Sequence, residues 1–138
     1  MKKLLAIGLL VLGLTTTALG QVYSFTAYSF NYKTYNTNRD YWTDWQGWEK
    51  CSIDILMDAT KSKIKIFSKT YQEYNIILDE GSKVVEGNKV SSFYCVDARG
   101  IACRIKLVIR YNAQTEIYVE YSDMIWVYAI YSNNPDKS

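Results

Sequence analysis

Histidine is absent from the whole chain. Its absence removes the commonest general base, the usual activator of a serine or cysteine nucleophile, and the main nitrogen ligand of zinc. Proline occurs once and glycine seven times in 138 residues, which is unlike a low-complexity or disordered chain. No apolar run reaches the length of about 18 residues that a transmembrane helix needs. The composition thus excludes histidine-dependent catalysis and predicts a folded chain without a spanning helix.

Residues 1–20 have the three parts of a secretory signal peptide. Lys2 and Lys3 form a basic start, residues 4–14 are apolar, and small residues at Ala18 and Gly20 end the segment. The apolar part has a helical length of about 16 Å, too short for a bilayer core of roughly 30 Å. We expect cleavage after residue 20 and an exported product, periplasmic or extracellular. A retained N-terminal anchor is the alternative.

The net charge disappears with that segment. The chain counts 16 Lys and Arg against 14 Asp and Glu, or +2. Without Lys2 and Lys3 the count is 14 against 14, or zero. A neutral product has no basic field for nucleic acid or for an anionic membrane surface. The expected partner is therefore a small molecule, a glycan or a protein, and the oligomeric state is open.

Alternation of apolar and polar residues predicts β-strands through most of residues 21–138, which we expect to form a single β domain. Residues 101–111 show it most clearly, with apolar side chains at every second position from Ile101 to Ile109. Short strands at this spacing predict an all-β fold, a small antiparallel meander of about eight strands. Both a barrel and a sandwich satisfy the pattern. The strands are expected near residues 22–32, 51–58, 64–66, 71–78, 90–96, 101–111, 116–121 and 125–131.

Two hairpins can be aligned by matching apolar residues and opposite charges across the strands. The first alignment places Leu107 opposite Val119, and the second places Ile55 opposite Ile64. The expected turns are residues 112–114 and 59–60, and a further turn at residues 79–82 is expected to end the strand of residues 71–78.

Three cysteines follow the expected leader, in a compartment that permits disulfides. Cys95 and Cys103 are equidistant from Arg99 in a turn that starts at Asp97 and ends at Gly100, as in a type I turn closed by a left-handed glycine. This spacing puts the two cysteines opposite each other and predicts a disulfide between them. A free, buried Cys51 completes the prediction. Three free thiols or a bridge to Cys51 are the alternatives.

The segment of residues 34–48 breaks the alternation and is rich in aromatic and polar groups. Thr43 followed by Gln46 resembles a capping box, which predicts one short helical turn between the first two strands. Its tryptophans then either contact a partner or fill one end of the core, and the core is the stronger expectation for at least two of the three. The candidate binding residues are Tyr35, Asp40, Tyr41, Trp42, Asp44, Trp45 and Trp48.

These features favour an exported, non-enzymatic binding module that uses the aromatic segment or the mouth of a barrel. A protein–protein interaction role, as an inhibitor or an envelope component, is the alternative. A hydrolase that uses only the carboxylates of Asp40 and Asp44 is a third possibility, although loop solvation or turn capping is the stronger explanation of these residues. No cofactor and no metal ion are expected.

Overall fold

A computed structural model describes residues 21–133, so the expected leader lies outside the described residues. Nine antiparallel strands make up the fold, and residues 21–133 include no helix of the length and hydropathy that crossing a membrane requires. The strands are β1 (Val22–Asn36), β2 (Tyr41–Trp42), β3 (Glu49–Asp58), β4 (Lys63–Ile66), β5 (Gln72–Val85), β6 (Asn88–Asp97), β7 (Ala102–Ile109), β8 (Thr115–Glu120) and β9 (Met124–Ser132).

The strands form a closed barrel. β1 pairs with β3, each of β3 to β8 pairs with the next strand in chain order, and β9 returns to pair with β1. Eight strands thus close the barrel, while the two-residue β2 pairs only with Tyr35 and Asn36 at the far end of β1. The prediction of an antiparallel meander of about eight strands is confirmed, and the choice between barrel and sandwich is settled in favour of the barrel.

Aliphatic side chains fill the barrel interior. Isoleucines and valines at every second position point inward, as the alternation predicts, and leave polar residues on the outer wall. Closure leaves no open sheet face, so this apolar set is removed from water almost completely. The fully buried members are Ile55, Ile64, Ile66, Ile105, Ile117 and Val119.

Both hairpin alignments from the sequence are wrong by two residues. Leu107 lies opposite Ile117 instead of Val119, because the turn closes one residue earlier, with Ala113 in a left-handed conformation. Ile55 lies opposite Ile66, because the second turn spans four residues instead of two. A shift of two keeps every side chain on its own face of the sheet, and Ile105, Ile117 and Val119 are fully buried as predicted. Ile101 and Ile109, at the two ends of the predicted strand, are 44% and 40% exposed.

The expected turn at residues 79–82 is also wrong. β5 runs through it, with irregularities in its pairing to β6 between Ile76 and Leu78 and between Asp79 and Ser82. Gly81 has a φ of 86° within the second irregularity. The chain reverses instead at Glu86 and Gly87, which both have positive φ, as a two-residue hairpin turn requires.

β1 contains a bulge, which affects which of its residues lie on the outer wall of the barrel. Its register against β3 and β9 shifts between Ala27 and Ser29. Ala27 is buried in the core and Phe30 packs against the core. With both of these residues inside, the alternation places Asn31 and Lys33 on the outer wall, where the connection to β3 crosses.

Candidate functional site

The connection between β2 and β3, residues 43–48, lies against the outer wall of β1. The amide of Thr43 donates to the carbonyl of Thr34 (2.8 Å), and the amide of Gln46 donates to the carbonyl of Tyr32 (2.9 Å). The Thr43 hydroxyl in turn accepts from the amide of Thr34 (3.1 Å). The predicted helical turn is therefore wrong. The backbone groups that would have built it are bonded to β1.

A buried asparagine completes this attachment. The side-chain oxygen of Asn31 accepts from the amide of Gly47 (2.8 Å) and from the amide of Tyr32 (2.9 Å). Gly47 has a φ of 112°, which a side chain at this position would oppose. Asn31 is almost fully buried under the connection. Asn31 could not be identified from the sequence, since nothing distinguishes it from other polar residues of an alternating strand.

Aromatic rings from this connection and from neighbouring strands lie side by side on the outer wall. Tyr35 and Trp42 meet edge to face, with ring centroids 5.4 Å apart. Trp45 meets Tyr118 of β8 in the same way at 6.4 Å. The ammonium of Lys33 lies over both indoles, 5.6 Å from the ring centre of Trp42 and 4.8 Å from that of Trp45. Such contacts hold rings in fixed positions relative to one another.

We use the name aromatic surface for this set. It consists of Lys33, Tyr35, Trp42, Trp45 and Tyr118, which the ring contacts connect, and of the exposed Tyr41 and Trp48, which lie next to them in the chain.

Trp42, Trp45 and Trp48 do not fill the core. Trp48 is 51% exposed, Trp45 is 38% exposed, and Tyr41 is 46% exposed, while Trp42 is half-buried. The expectation that at least two of the tryptophans plug the barrel is therefore wrong. The expectation fails because aliphatic residues and other aromatic residues, among them Phe25, Phe93 and Trp126, already occupy the barrel interior. It also fails because the connection is bonded to the outside of β1 and not across the barrel end.

The two acidic candidates lie at the edge of this surface. Asp40 occupies the turn between β1 and β2 with a φ of 60°, and its amide donates to the carbonyl of Asn36 (2.7 Å). Asp44 is exposed, and its carbonyl accepts from the side-chain amide of Gln46 (3.0 Å). Within residues 21–133 no group of three or more acidic or cysteine side chains is arranged to hold a metal ion.

An ion pair borders the aromatic surface on the β8 side. The guanidinium of Arg110 donates to Glu116 (2.7 Å) and to the hydroxyl of Tyr118 (2.8 Å). Burial and the nearby charge of Glu116 raise the pKa of Tyr118 to about 12. Tyr118 is therefore a neutral phenol at physiological pH, and its ring position is fixed from both ends, by Trp45 and by this pair.

A second group of polar side chains lies inside the barrel, at the end where β6 and β8 finish and β5 begins. The hydroxyl of Tyr74 donates to the side chain of Gln72 (2.6 Å), whose amide donates to the hydroxyl of Tyr128 (3.0 Å). Tyr121 stacks on Trp126 and donates to the carboxylate of Asp97 (2.7 Å). Burial raises the pKa of Tyr74, Tyr121 and Tyr128, so these phenols stay protonated. In the sequence, Tyr74, Tyr121 and Tyr128 have no feature that distinguishes them from other strand residues.

Asp97 holds the turn between β6 and β7. Its carboxylate accepts from the amides of Arg99 and Ile101, both at 2.9 Å, and from the guanidinium of Arg99 at 2.8 Å. Burial alone would raise the pKa of this carboxyl, but the hydrogen bonds from Tyr121, Ile101 and Arg99 outweigh burial and lower it below its usual range. Asp97 is thus an ionised structural group.

The predicted register of Cys95 and Cys103 is confirmed. They are direct partners of β6 and β7, and the turn between them has Gly100 in the left-handed conformation with its amide donating to Asp97. Residues directly opposite in a ladder have Cα atoms about 4.5 to 5.5 Å apart, which a disulfide can join. The structure has free thiols at both positions, and the bridge stays a prediction. Cys51 is a half-buried thiol beside the carbonyl of Ala27 (3.6 Å).

No family model, curated protein or solved structure matches the chain. The grounds for a function are therefore the chemistry of the aromatic surface and the barrel that carries it.

Proposed function

We propose that this protein is a non-enzymatic binding protein whose contact region is the aromatic surface. The observation that carries the proposal is the exposure of Trp45 and Trp48 on a connection that is hydrogen-bonded to the barrel wall, next to the exposed Tyr41 of β2. Large aromatic side chains stabilise a small protein when they are buried. Three of them in one exposed segment, next to a core already filled by aliphatic residues, indicate a surface that a ligand covers.

The attachment of the connection supports this proposal, because ordering a flexible loop on binding costs free energy. Bonds to Thr34, Tyr32 and Asn31 fix residues 43–47 before any ligand arrives. The Lys33 ammonium between two indoles fixes the rings as well. Tryptophan and tyrosine contribute much contact area with few rotatable bonds, and they dominate the energetics of many interfaces.

Two ligand classes fit the aromatic surface. The exposed carboxylates of Asp40 and Asp44 accept hydrogen bonds from hydroxyl groups, which suits a glycan lying across the rings. A protein partner is the second candidate. The exposed Arg39, in the same segment as Trp45 and Trp48, supports it, since arginine and tryptophan are enriched where proteins meet.

The export pattern of residues 1–20 supports a place of action outside the cytoplasm, periplasmic or extracellular. The absence of histidine supports a non-catalytic role, as does the use of Asp40 in a turn of the backbone.

Alanine variants of the exposed indoles test the proposal. Immobilised wild-type protein is incubated with a glycan array and with envelope and medium fractions of the producing cell, and captured species are quantified. Trp45→Ala and Trp48→Ala should lower capture at least tenfold, because truncating an anchoring aromatic costs about 2 kcal/mol or more.

Tyr111→Ala is the matched control, since Tyr111 is 79% exposed in the turn between β7 and β8, away from the aromatic surface. It should capture as much as wild type. Equal capture by wild type and both tryptophan variants, with unchanged melting temperatures, would refute the proposal. Binding to the glycan array would identify a glycan ligand, whereas capture of a protein from the envelope or medium fractions would identify a protein partner.

A further inference from the structure

The interior of the barrel changes in character along its length. Isoleucine and valine side chains fill its middle, whereas hydrogen-bonding side chains lie at the end where β6 and β8 finish and β5 begins. Polar groups inside a small barrel lower its stability unless they are hydrogen-bonded, so packing alone does not explain a polar end. We call this set the barrel mouth, and it consists of Gln72, Tyr74, Asp97, Tyr121, Trp126 and Tyr128.

Trp126 has a hydrogen-bond donor inside the barrel mouth that lacks an acceptor. Its ladder partner Val119 is fully buried in the interior, so the indole faces the interior as well. The indole stacks on Tyr121, with the ring centroids 5.5 Å apart. Its Nε1 is buried, and no group within residues 21–133 accepts from it. Nearly every buried donor in a folded protein has an acceptor, so this N–H is left for an acceptor that a ligand supplies.

A second donor lies beside this indole. Tyr128 follows Trp126 by two residues in β9, so its side chain enters the interior on the same face. The indole is close enough to lower the pKa of the Tyr128 phenol, against the larger effect of burial, which raises it. The hydroxyl of Tyr128 accepts from Gln72 at 3.0 Å, so its own proton is left for another acceptor. One ligand oxygen between the two side chains would accept from both.

The wall of the barrel is incomplete beside the mouth. β4 pairs with residues 55–58 of β3, and the amide of Phe67 makes the last bond on that side, to the carbonyl of Asp54 (2.9 Å). Among the described residues, β1 is therefore the only strand that pairs with residues 49–53 of β3. The connection of residues 67–71 spans the gap, and its Ser68 accepts from Gln72 at 2.9 Å. A ligand thus has an entrance between β3 and β5, where a short connection and no strand lies beside the mouth.

The hydrogen bonds within the mouth indicate the chemistry of the ligand. The carboxylate of Asp97 is the only formal charge among the six side chains, and it already accepts from Tyr121 and Arg99. A charged ligand would lose its hydration without meeting a free opposite charge. The side-chain oxygen of Gln72 is also occupied, since it accepts from Tyr74 at 2.6 Å. Donors remain while acceptors are occupied, which favours a ketone, ester or lactone over a sugar, whose hydroxyls also need acceptors.

We propose that the barrel mouth binds a small uncharged molecule whose carbonyl oxygen accepts from the indole N–H of Trp126 and from the hydroxyl of Tyr128. The ligand is limited to about one ring, because fully buried isoleucines occupy the ladder positions opposite Gln72 and Tyr128, namely Ile66 and Ile117. This site is separate from the aromatic surface, which lies on the outer wall and contains the other three tryptophans. Neither site requires the other.

Cyclohexanone, a ketone with one ring, is the probe that tests the proposal. Protein labelled with ¹⁵N at its indoles gives one N–H signal for each of its four tryptophans, and Trp126→Phe identifies the signal of Trp126. Cyclohexanone should move that signal downfield, as a hydrogen bond to the indole does. The shift should saturate with a dissociation constant of about 1 mM or lower, which a ligand of this size can reach. The signals of the other three indoles should stay in place.

Tyr128→Phe removes the second donor but keeps the ring and the indole signal of Trp126. It should raise the dissociation constant of cyclohexanone about fivefold, the effect of one lost hydrogen bond. Tyr131→Phe is the matched control, because it removes a hydroxyl from a tyrosine of the same strand that is 53% exposed. This variant should bind like wild type. Cyclohexylammonium has the same ring with a positive charge and should leave the Trp126 signal unmoved.

A Trp126 signal that stays in place at about 20 mM cyclohexanone would overturn the proposal. Equal binding by Tyr128→Phe and wild type would also overturn it, as would equal shifts with cyclohexylammonium and cyclohexanone. Movement of the outer-wall indoles in place of Trp126 would have the same consequence. The outcome is independent of the aromatic surface, since none of these variants alters it.

Discussion

Apart from tyrosine and cysteine, Asn31 and Asp97 are the buried residues with polar side chains among residues 21–133, and each one holds a turn or connection to the barrel. Asn31 accepts from the amide of Gly47, and Asp97 accepts from the amides of Arg99 and Ile101. Buried polar groups are retained where they satisfy backbone amides that would otherwise be unpaired. The connection at Gly47 and the turn between β6 and β7 are therefore held in place by side chains of neighbouring strand residues.

Asp97→Asn should lower the free energy of unfolding at pH 7 by about 2 kcal/mol, because hydrogen bonds to a charged acceptor are worth roughly 1.5 to 3 kcal/mol. The pKa of Asp97 is lowered by folding, so its contribution is complete above the unfolded value near 4 and is lost as the pH falls below that value. Urea unfolding between pH 2 and 7 should show the variant losing less stability in acid than wild type. Asp54→Asn, on the exposed outer wall, is the control; an equal acid dependence in Asp97→Asn and wild type would contradict the assignment.

Cys95 and Cys103 should form a disulfide in protein folded under oxidising conditions. They are direct ladder partners, and burial raises the pKa of Cys95 above its usual range and that of Cys103 to about 11, so the folded thiols react slowly and the bond has to form before the core closes. Peptide mapping of unreduced protein should link the two. Replacing both by serine should then lower stability by about 2.5 kcal/mol, the value for closing a loop of about nine residues. A linked peptide that contains Cys51 would contradict this.

At the scale of elements, periodicity predicts which face a residue occupies but not its exact partner. Leu107 is interior in the predicted and in the observed alignment, although its partner changes from Val119 to Ile117. A shift by two preserves both the apolar match and the charge match. The ammonium of Lys106, whose ladder partner is Tyr118, forms an ion pair with the carboxylate of Glu120 on the neighbouring strand at 3.0 Å. The turn decides the register, and the left-handed Ala113 has no signal in the sequence.

The same limit explains the errors in β5 and in the aromatic segment. The run from Asp79 to Ser82 has the composition of a turn, but pairing with β6 keeps it extended as an irregular strand. Thr43 and Gln46 have the spacing of a capping box, but the carbonyls of β1 compete successfully for their amides. In both cases a tertiary contact outweighs a local preference of about 1 kcal/mol.

Two turns of the same shape allow a paired prediction. Gly100 and Ala113 occupy the left-handed position of equivalent turns, with φ of 85° and 72°. Gly100→Ala should lower stability by about 1 kcal/mol through backbone strain alone, since an added Cβ meets no atom within 4 Å. Ala113→Gly should raise it by less than about 1 kcal/mol, because relief of strain is partly offset by chain entropy. Urea unfolding measures the change in the free energy of unfolding for both variants. Changes of the same sign in the two variants would contradict this explanation.

At the scale of the whole molecule, the sequence predicts an antiparallel meander of about eight strands but not whether the sheet closes. Alternating strands in meander order fit a barrel and a sandwich alike, although the fully buried isoleucines lie where the pattern places them. Pairing of β1 with β9 depends on the bulge near Tyr28 and on the long β1, which no local pattern indicates. The exposure of the tryptophans likewise follows from how fully this interior is packed, a property of the assembled barrel.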